Sequence, residues 1–275
     1  MRPCQRSKWP VISEWQEKLK HKARKRFGQN FLTDPTVIQR IVDSVAPAPG
    51  QLMMEIGPGQ AALTRPLAES GVELHLVEID RDLAAGLERQ FHSNPGVTLH
   101  TGDALKMDFG EITAGRPFRL VGNLPYNIST PLLFHLLQWS DLLIDMHFML
   151  QQEVVNRMAA TPGGKARGRL SIMCQYRCEV TPLFSVQPGS FTPAPKVQSA
   201  IVRLVPHRTP PVHIESMDSF QRLVTQAFSM RRKTLRNSLR QLLSASVIES
   251  AGIDPGLRPE ALSLQQFADL SLLMK

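Results

Sequence analysis

The chain has 275 residues, 42% hydrophobic and 20% charged, which excludes a disordered chain and allows one full core plus a smaller second domain. Its 32 Lys and Arg against 24 Asp and Glu leave a net charge of +8, pointing to a polyanionic partner, nucleic acid before an anionic membrane surface. No apolar run approaches the roughly 18 residues of a membrane span, the opening "MRPCQRSKWPVISEWQ" lacks the apolar stretch of a secretory signal, and three cysteines do not make a disulfide scaffold, so a cytoplasmic setting is the expectation.

Residues 1–20 read as a loose extension, and from Lys20 the chain turns basic in "KHKARKRFGQNFL". A helix is expected after Thr33 or Asp34 as cap, with Pro35 in its first turn, covering "TVIQRIVDSVA" until "PAPG" breaks it. Then "QLMMEIGPG" reads as a buried strand ending in a glycine turn, "ALTRPLAES" as a helix, "VELHLVEID" as a strand and "RDLAAGLERQF" as a helix. A third strand is expected in "GVTLHTGDAL" and a fourth in "FRLVGNLPY", which is the βαβ rhythm of a parallel sheet. "TPLLFHLLQW" and "DMHFMLQQEVVNRMAA" read as helical or buried, and "TPGGKARGR" as a loop. "LSIMCQYRCEVTPLFSV" and "KVQSAIVRLVP" alternate well enough to be late strands flanking the loop "QPGSFTPAP". "PHRTPP" reads as a linker into a helical region, where "MRRKTLRNSLRQLL" puts Leu235, Leu239 and Leu242 on one face and Arg232, Arg236 and Arg240 in a stripe beside it.

The expected strands end in Gly57, Glu78, Asp103 and Asn123. Ligands of open α/β sheets bind beyond the carboxyl ends of the strands, so four polar or small residues at four successive ends outweigh any one of them. Gly57-Pro58-Gly59 with Ala62 is a loose G-x-G-x-x-A between strand and helix, a weak signal alone. Glu78, about 20 residues beyond Gly57, can accept both ribose hydroxyls of an adenosine cofactor; a solvated acid is the ordinary alternative. Asp103 can accept from an adenine amino group, or simply cap a turn. A dinucleotide needs backbone N–H groups at its pyrophosphate, and Pro58 removes one, so S-adenosylmethionine is preferred over NAD.

"GNLPY" then acquires a chemical reading. An exocyclic adenine amine is a poor nucleophile because its lone pair is delocalised into the ring. The Asn123 side-chain oxygen and the Leu124 carbonyl can accept its two protons, Pro125 can fix the carbonyl direction, and Tyr126 can stack on a base out of its helix. Phe191 can cover the other face, or be an ordinary core residue. Cys174 and Cys178 lack the partners of a zinc site and read as packed thiols, with no metal expected.

Taken together, "ARKRFGQNFL", "EIGPG", "VEIDRDLA", "GNLPYNISTPLLFHLL", "DMHFMLQQEVVNRM", "FTPAPKVQSAIVRLVP", "RRKTLRNSL" and "GIDP" resemble the bacterial small-subunit ribosomal RNA adenine dimethyltransferase family, from about Ala23 to near the C-terminus. The resemblance implies a Rossmann-like class I S-adenosylmethionine-dependent methyltransferase domain with a small all-α C-terminal domain. The corresponding boundaries are an extension at 1–20, the methyltransferase domain at 21–206 and the helical domain at 207–275. It implies transfer of four methyl groups to two adjacent adenosines in the loop of the 3′-terminal hairpin of 16S rRNA, within the 30S particle or its late precursor; a monomer is the separate expectation for its oligomeric state. It places Asn30, Leu32, Gly57, Gly59, Glu78, Asp103 and Asn123 at the cofactor, Asn123 to Tyr126 at the catalytic centre, and Tyr126 and Phe191 at the target base. Gln60, Met53 and Met54 depart from the family's usual residues. Arg24, Lys25, Arg26, Arg231, Arg232, Lys233, Arg236 and Arg240 are candidate RNA contacts, although a charge run is more often a solvated face. Three competing readings are a large-subunit rRNA methyltransferase of the erythromycin-resistance type, a DNA adenine methyltransferase, and an assembly factor whose methylation is incidental.

Overall fold

The computed structural model describes residues 29–125, 128–230 and 232–274. The chain divides into two compact units, one formed by the described residues up to Leu133 together with Val186–Gln198, the other by Phe134–Ser185 together with residues from Ser199 on.

In the first unit β1 (Phe31–Leu32) precedes helix α1 (Pro35–Val45). Asp34 caps α1, its carboxylate accepting from the Thr36 and Val37 N–H groups, and Pro35 occupies the first turn where no N–H is needed. Val37, Ile41 and Val45 form its buried stripe. Then follow β2 (Leu52–Ile56), α2 (Thr64–Glu69), β3 (Glu73–Glu78), α3 (Arg81–Phe91), β4 (Val97–Thr101), the short α4 (Phe109–Ile112) and β5 (Phe118–Asn123). The strand order is β4-β3-β2-β5, with β2 parallel to both neighbours and β3 parallel to β4. Register aligns the carboxyl ends: Ile56 lies opposite Val77 and Gly122, and Glu78 opposite Thr101. The chain leaves β2 toward β3 on one side and returns to β5 on the other, so the crevice at the end of β2 is the topological switch point.

β2 and β5 approach closely because Gly122 has no side chain. A Cβ there would sit 2.6 Å from the Ile56 carbonyl oxygen. Buried β-branched and long apolar residues fill both faces of β2, β3 and β5, as in a parallel sheet covered on each side, whereas no residue of the edge strand β4 is fully buried.

Helix α5 (Ser129–Leu136) is followed in the second unit by β6 (Leu143–Gln151), α6 (Gln152–Met158), α7 (Arg169–Arg177), β7 (Cys178–Val186) and β9 (Ser199–Pro206), where β9 lies between β6 and β7 and runs antiparallel to β6. Strand β8 (Phe191–Thr192) returns to the first unit and pairs antiparallel with β1. Four helices close the chain: α8 (Met217–Ala227), α9 (Leu235–Ser238), α10 (Ala245–Ser250) and α11 (Leu264–Leu272). Phe220, Leu223, Leu235, Leu239, Ile248 and Phe267 of this region share one core with Ile172 and Met173 of α7.

Two expectations are corrected. "LSIMCQY" is helix, not strand; the strand begins at Cys178. Leu170 to Cys174 and Tyr176 are all buried, so the helix shows no polar face by which its period could be read. The run 230–243 is not one helix, because Arg232 has φ 71° and α9 holds only four residues. Leu235 and Leu239 are nonetheless buried and Leu242 packs on the same core, while the arginines are not a helical stripe. Cys174 and Cys178 are buried free thiols, and burial pushes the Cys178 thiol up to about 12. No helix among the described residues is long and apolar enough to cross a membrane.

Candidate functional site

A cavity of about 210 Å³ opens at the switch point. The turn after β2 forms one wall. Gly57 and Gly59 have φ of 70° and 56°, left-handed values that glycine adopts freely, and they turn the backbone toward the cavity. The end of β3 forms the second wall. Glu78 is 4% exposed, and its two oxygens accept from the N–H groups of Asp80 at 2.9 Å and Gly59 at 3.1 Å. It is therefore not a solvated acid; burial raises its pKa, against the lowering effect of those N–H donors. Asp103 follows β4. Its Oδ1 caps the turn Ala104–Lys106 by accepting from the Leu105 N–H at 3.0 Å, which fixes the carboxylate on the cavity wall. Capping a turn and facing a ligand are thus properties of the same side chain.

Asn123, Leu124 and Pro125 at the end of β5 complete the wall, together with Asn30 and Leu32 from the N-terminal segment. Asn123 Nδ2 donates to the Asn30 carbonyl at 2.9 Å. A carbonyl oxygen can only accept, so this bond assigns the amide: nitrogen toward Asn30, oxygen away from it. Phe191 pairs opposite Leu32 in the β1–β8 ladder and is buried. It is not among the residues that line the cofactor cavity. Tyr126, Arg24, Lys25, Arg26 and Arg231 lie outside the described residues. Arg232, Lys233, Arg236 and Arg240 belong to the second unit and are exposed.

Glu55, Ile79 and Gln29 are among the lining residues to which the sequence assigned no role. Glu55 is 2% exposed within β2 and accepts from Thr64 Oγ1 at 2.7 Å; burial, reinforced by nearby Glu78, pushes its pKa up to about 8. An acid inside the apolar run "LMMEI" is the signal that could have found it. Ile79 is an apolar side chain 46% exposed at the cavity. Gln29 Nε2 donates to Asp80 Oδ2 at 3.1 Å.

The charge of the lining discriminates between cofactors. Glu55, Glu78 and Asp103 line the cavity, and no Lys, Arg or His among the described residues does so, in a chain of net charge +8. A pyrophosphate would meet carboxyls and a proline-interrupted turn, whereas a sulfonium and an ammonium group would meet complementary charge. The residues fit S-adenosylmethionine and do not fit a dinucleotide. Parallel sheet, switch-point cavity and acidic lining define a Rossmann-like class I S-adenosylmethionine-dependent methyltransferase.

The sequence profile of the family described as ribosomal RNA adenine dimethylase matches residues 20–275. Proteins named ribosomal RNA small subunit methyltransferase A from Cronobacter sakazakii and Klebsiella pneumoniae are 54% and 53% identical over 253 residues, 91% of this chain and 93% of theirs. Among solved structures, a dimethyladenosine transferase from Plasmodium falciparum superposes with TM-score 0.74 at 25% identity, covering 88% of this chain and 96% of its own. The 23S rRNA methyltransferase ErmE superposes with TM-score 0.71 at 26% identity, covering 89% and 99%. The chain belongs to the ribosomal RNA adenine dimethylase family: it is an S-adenosylmethionine-dependent rRNA adenine dimethyltransferase.

Proposed function

We propose that the substrate is 16S rRNA in the 30S particle or its late precursor, where a cytoplasmic monomer places four methyl groups on N6 of two adjacent adenosines in the 3′-terminal hairpin loop. The relatives named for the small subunit, 53–54% identical over nearly the whole chain, favour this over a large-subunit target. For the functional division we propose a methyltransferase domain at 21–206 and a C-terminal domain at 207–275, in which the regular elements from Met217 on are helices.

The observation that carries the chemistry is the assigned amide of Asn123. With its nitrogen committed to the Asn30 carbonyl, the side-chain oxygen is left to accept a proton of the adenine amine. Asn123 and the Leu124 carbonyl hold the amine, favour a pyramidal nitrogen, and stabilise the positive charge that develops on it. Asn123 is neutral and is not a general base, so the proton leaves late, to water. The contribution is positioning plus preorganised dipoles. Glu78 holds the ribose hydroxyls and Asp103 the adenine amino group of the cofactor, against the backbone of Asn30, Leu32, Gly57 and Gly59. S-adenosylmethionine supplies an activated methyl group on a sulfonium. Tyr126 and Phe191 sandwich the target base, and the exposed Arg232, Lys233, Arg236 and Arg240, with Arg24, Lys25, Arg26 and Arg231, contact phosphates.

The test uses labelled S-adenosylmethionine and 30S subunits from a strain lacking these methyl groups, with products mapped by nuclease digestion and mass spectrometry. Four methyl groups per subunit, all as dimethyladenosine in the hairpin loop, is the expected result. Transfer to large-subunit RNA or DNA instead would retain the chemistry and discard the substrate.

A further inference from the structure

Gln29 and Asn30 are consecutive, yet their long-range bonds reach the ends of two different strands. Gln29 Nε2 donates to Asp80, two residues past the end of β3; the Asn30 carbonyl accepts from Asn123, the last residue of β5. In the order β4-β3-β2-β5 those strands flank β2, so they lie about 10 Å apart. The dipeptide therefore spans the carboxyl edge above β2. Phe31, next in the chain, lies against the glycine turn, where a Cβ on Gly59 would come within 3.1 Å of its ring. β1 then pairs with β8, and the Thr33 N–H donates to the Ser190 carbonyl at 2.9 Å, so the far end of the segment is fixed.

Asp80 joins several of these parts. It is 1% exposed. Its Oδ2 accepts from Gln29, its Oδ1 accepts from the Asp82 N–H in the first turn of α3, and its own N–H donates to Glu78 Oε1 at 2.9 Å. One buried residue thus ties the N-terminal segment, the start of α3 and the carboxylate of Glu78 together.

We propose that Gln29 and Asp80 are positioning residues for methyl transfer: their hydrogen bond seats the Gln29–Leu32 segment over the cofactor cavity and, through the adjacent Asn30 carbonyl, sets the direction of the Asn123 side-chain oxygen. The proposal rests on reading the cavity as the cofactor site. Without the Gln29 bond, the segment keeps its β1 anchor but loses its tie to the Asp80 carboxylate, the Asn30 carbonyl shifts, and the direction of the Asn123 amide shifts with it. Neither residue needs to touch the target base. The wall of the cofactor cavity and the orientation of the amine acceptor depend on one short segment, so cofactor affinity and turnover fall together when its Gln29 end is released.

The first variant is Gln29→Glu. It sets a carboxylate against the buried carboxylate of Asp80, and two such groups at hydrogen-bond distance cannot both ionise without strong repulsion. The second adds Asp80→Asn to Gln29→Glu. The amide introduced by Asp80→Asn keeps an oxygen on the Asp82 N–H and places a nitrogen where Oδ2 stood, donating to the new carboxylate, so the bond is restored with reversed polarity. Both are assayed for kcat on 30S subunits, for affinity toward S-adenosylhomocysteine by calorimetry, and for folding by thermal melting. Gln29→Glu is expected to lower kcat about 10- to 100-fold and weaken the ligand, and the double variant to recover most of both. In an Asn123→Ala background, Gln29→Glu is expected to lower kcat little further, because both changes remove the same interaction. The proposal is overturned by wild-type kcat and affinity in Gln29→Glu, by a loss that a folded double variant does not recover, or by full additivity with Asn123→Ala. Glu78→Ala separates the two levels. Wild-type affinity in that variant overturns the cofactor-site reading itself; weakened affinity there with an unaffected Gln29→Glu overturns the positioning role alone.

Discussion

Glu55→Gln should remove a pH dependence of stability that the fold itself creates. Glu55 is buried within β2, and its carboxyl titrates near 8 in the folded chain against an ordinary value of 4.5. The cause is burial first, with the charge of Glu78 adding to it and the Thr64 hydroxyl partly offsetting it. Between those two values the folded chain keeps a proton that the unfolded chain releases. An acid with a raised folded pKa therefore loses stability as pH rises, at about 1.4 kcal/mol per pH unit inside the window. From about pH 5 to about pH 7 the loss is about 2 to 3 kcal/mol. Gln cannot ionise, and its carbonyl can still accept from Thr64 Oγ1. The difference in unfolding free energy between variant and wild type should thus grow with pH by that amount, whatever constant offset the new amide introduces. Glu78 titrates in both proteins and cancels to first order. Urea unfolding of both proteins across the pH range, followed by fluorescence and circular dichroism, measures the difference. Parallel curves would refute the reasoning, since they would mean that Glu55 ionises alike folded and unfolded.

Asn123→Ala should cut turnover by about 10²–10³, as loss of one preorganised polar partner does, with a smaller change in S-adenosylhomocysteine affinity; near wild-type turnover would discard the proposed role of "GNLPY". Gly122→Ala forces a methyl group to within 2.6 Å of the Ile56 carbonyl oxygen, so a destabilisation of about 1–3 kcal/mol is expected in thermal melting, and an unchanged midpoint would show that β5 yields without cost. Neutralising Arg232 and Arg236 together should weaken 30S binding and reduce the log–log salt slope by about 0.7–1 for each lost phosphate contact; an unchanged slope would remove both from the RNA surface.

The sequence was most legible where one physical rule fixed several residues at once. Alternating strands and helices force a parallel sheet, a parallel sheet puts all carboxyl ends on one edge, and so Gly57, Glu78, Asp103 and Asn123 had to converge whatever the details of each turn. Legibility failed where the local pattern carried no period or too short a one. Helix α7 buries Leu170 to Cys174 and Tyr176, the polar Ser171 among them, so its polar residues mark no outer face and the run reads equally as strand. In the 230–243 run the spacing of Leu235, Leu239 and Leu242 marked a shared core correctly, but the positive φ of Arg232 left no sign in its side chain. Contacts between distant parts of the chain were not readable at all. Gln29 and Asp80 are 51 residues apart, and nothing in either neighbourhood names the other.

Charge makes the same point about partners. Net charge of +8 argues for RNA, and alone it would argue equally for a phosphate-bearing cofactor. The structure separates the two: the cavity is lined by Glu55, Glu78 and Asp103, while Arg232, Lys233, Arg236 and Arg240 are exposed elsewhere in the chain. An acidic cavity repels phosphate and welcomes a sulfonium cation. The same field acts on the RNA, because a nucleotide can present only its base to such a cavity while its phosphates stay outside. A base presented in this way must leave its stack, which costs least in a single-stranded loop, in keeping with the proposed hairpin-loop target. The proposed acceptor Asn123 suits this division, since a neutral amide accepts from an adenine amine without adding negative charge beside the carboxylates of Glu78 and Asp103.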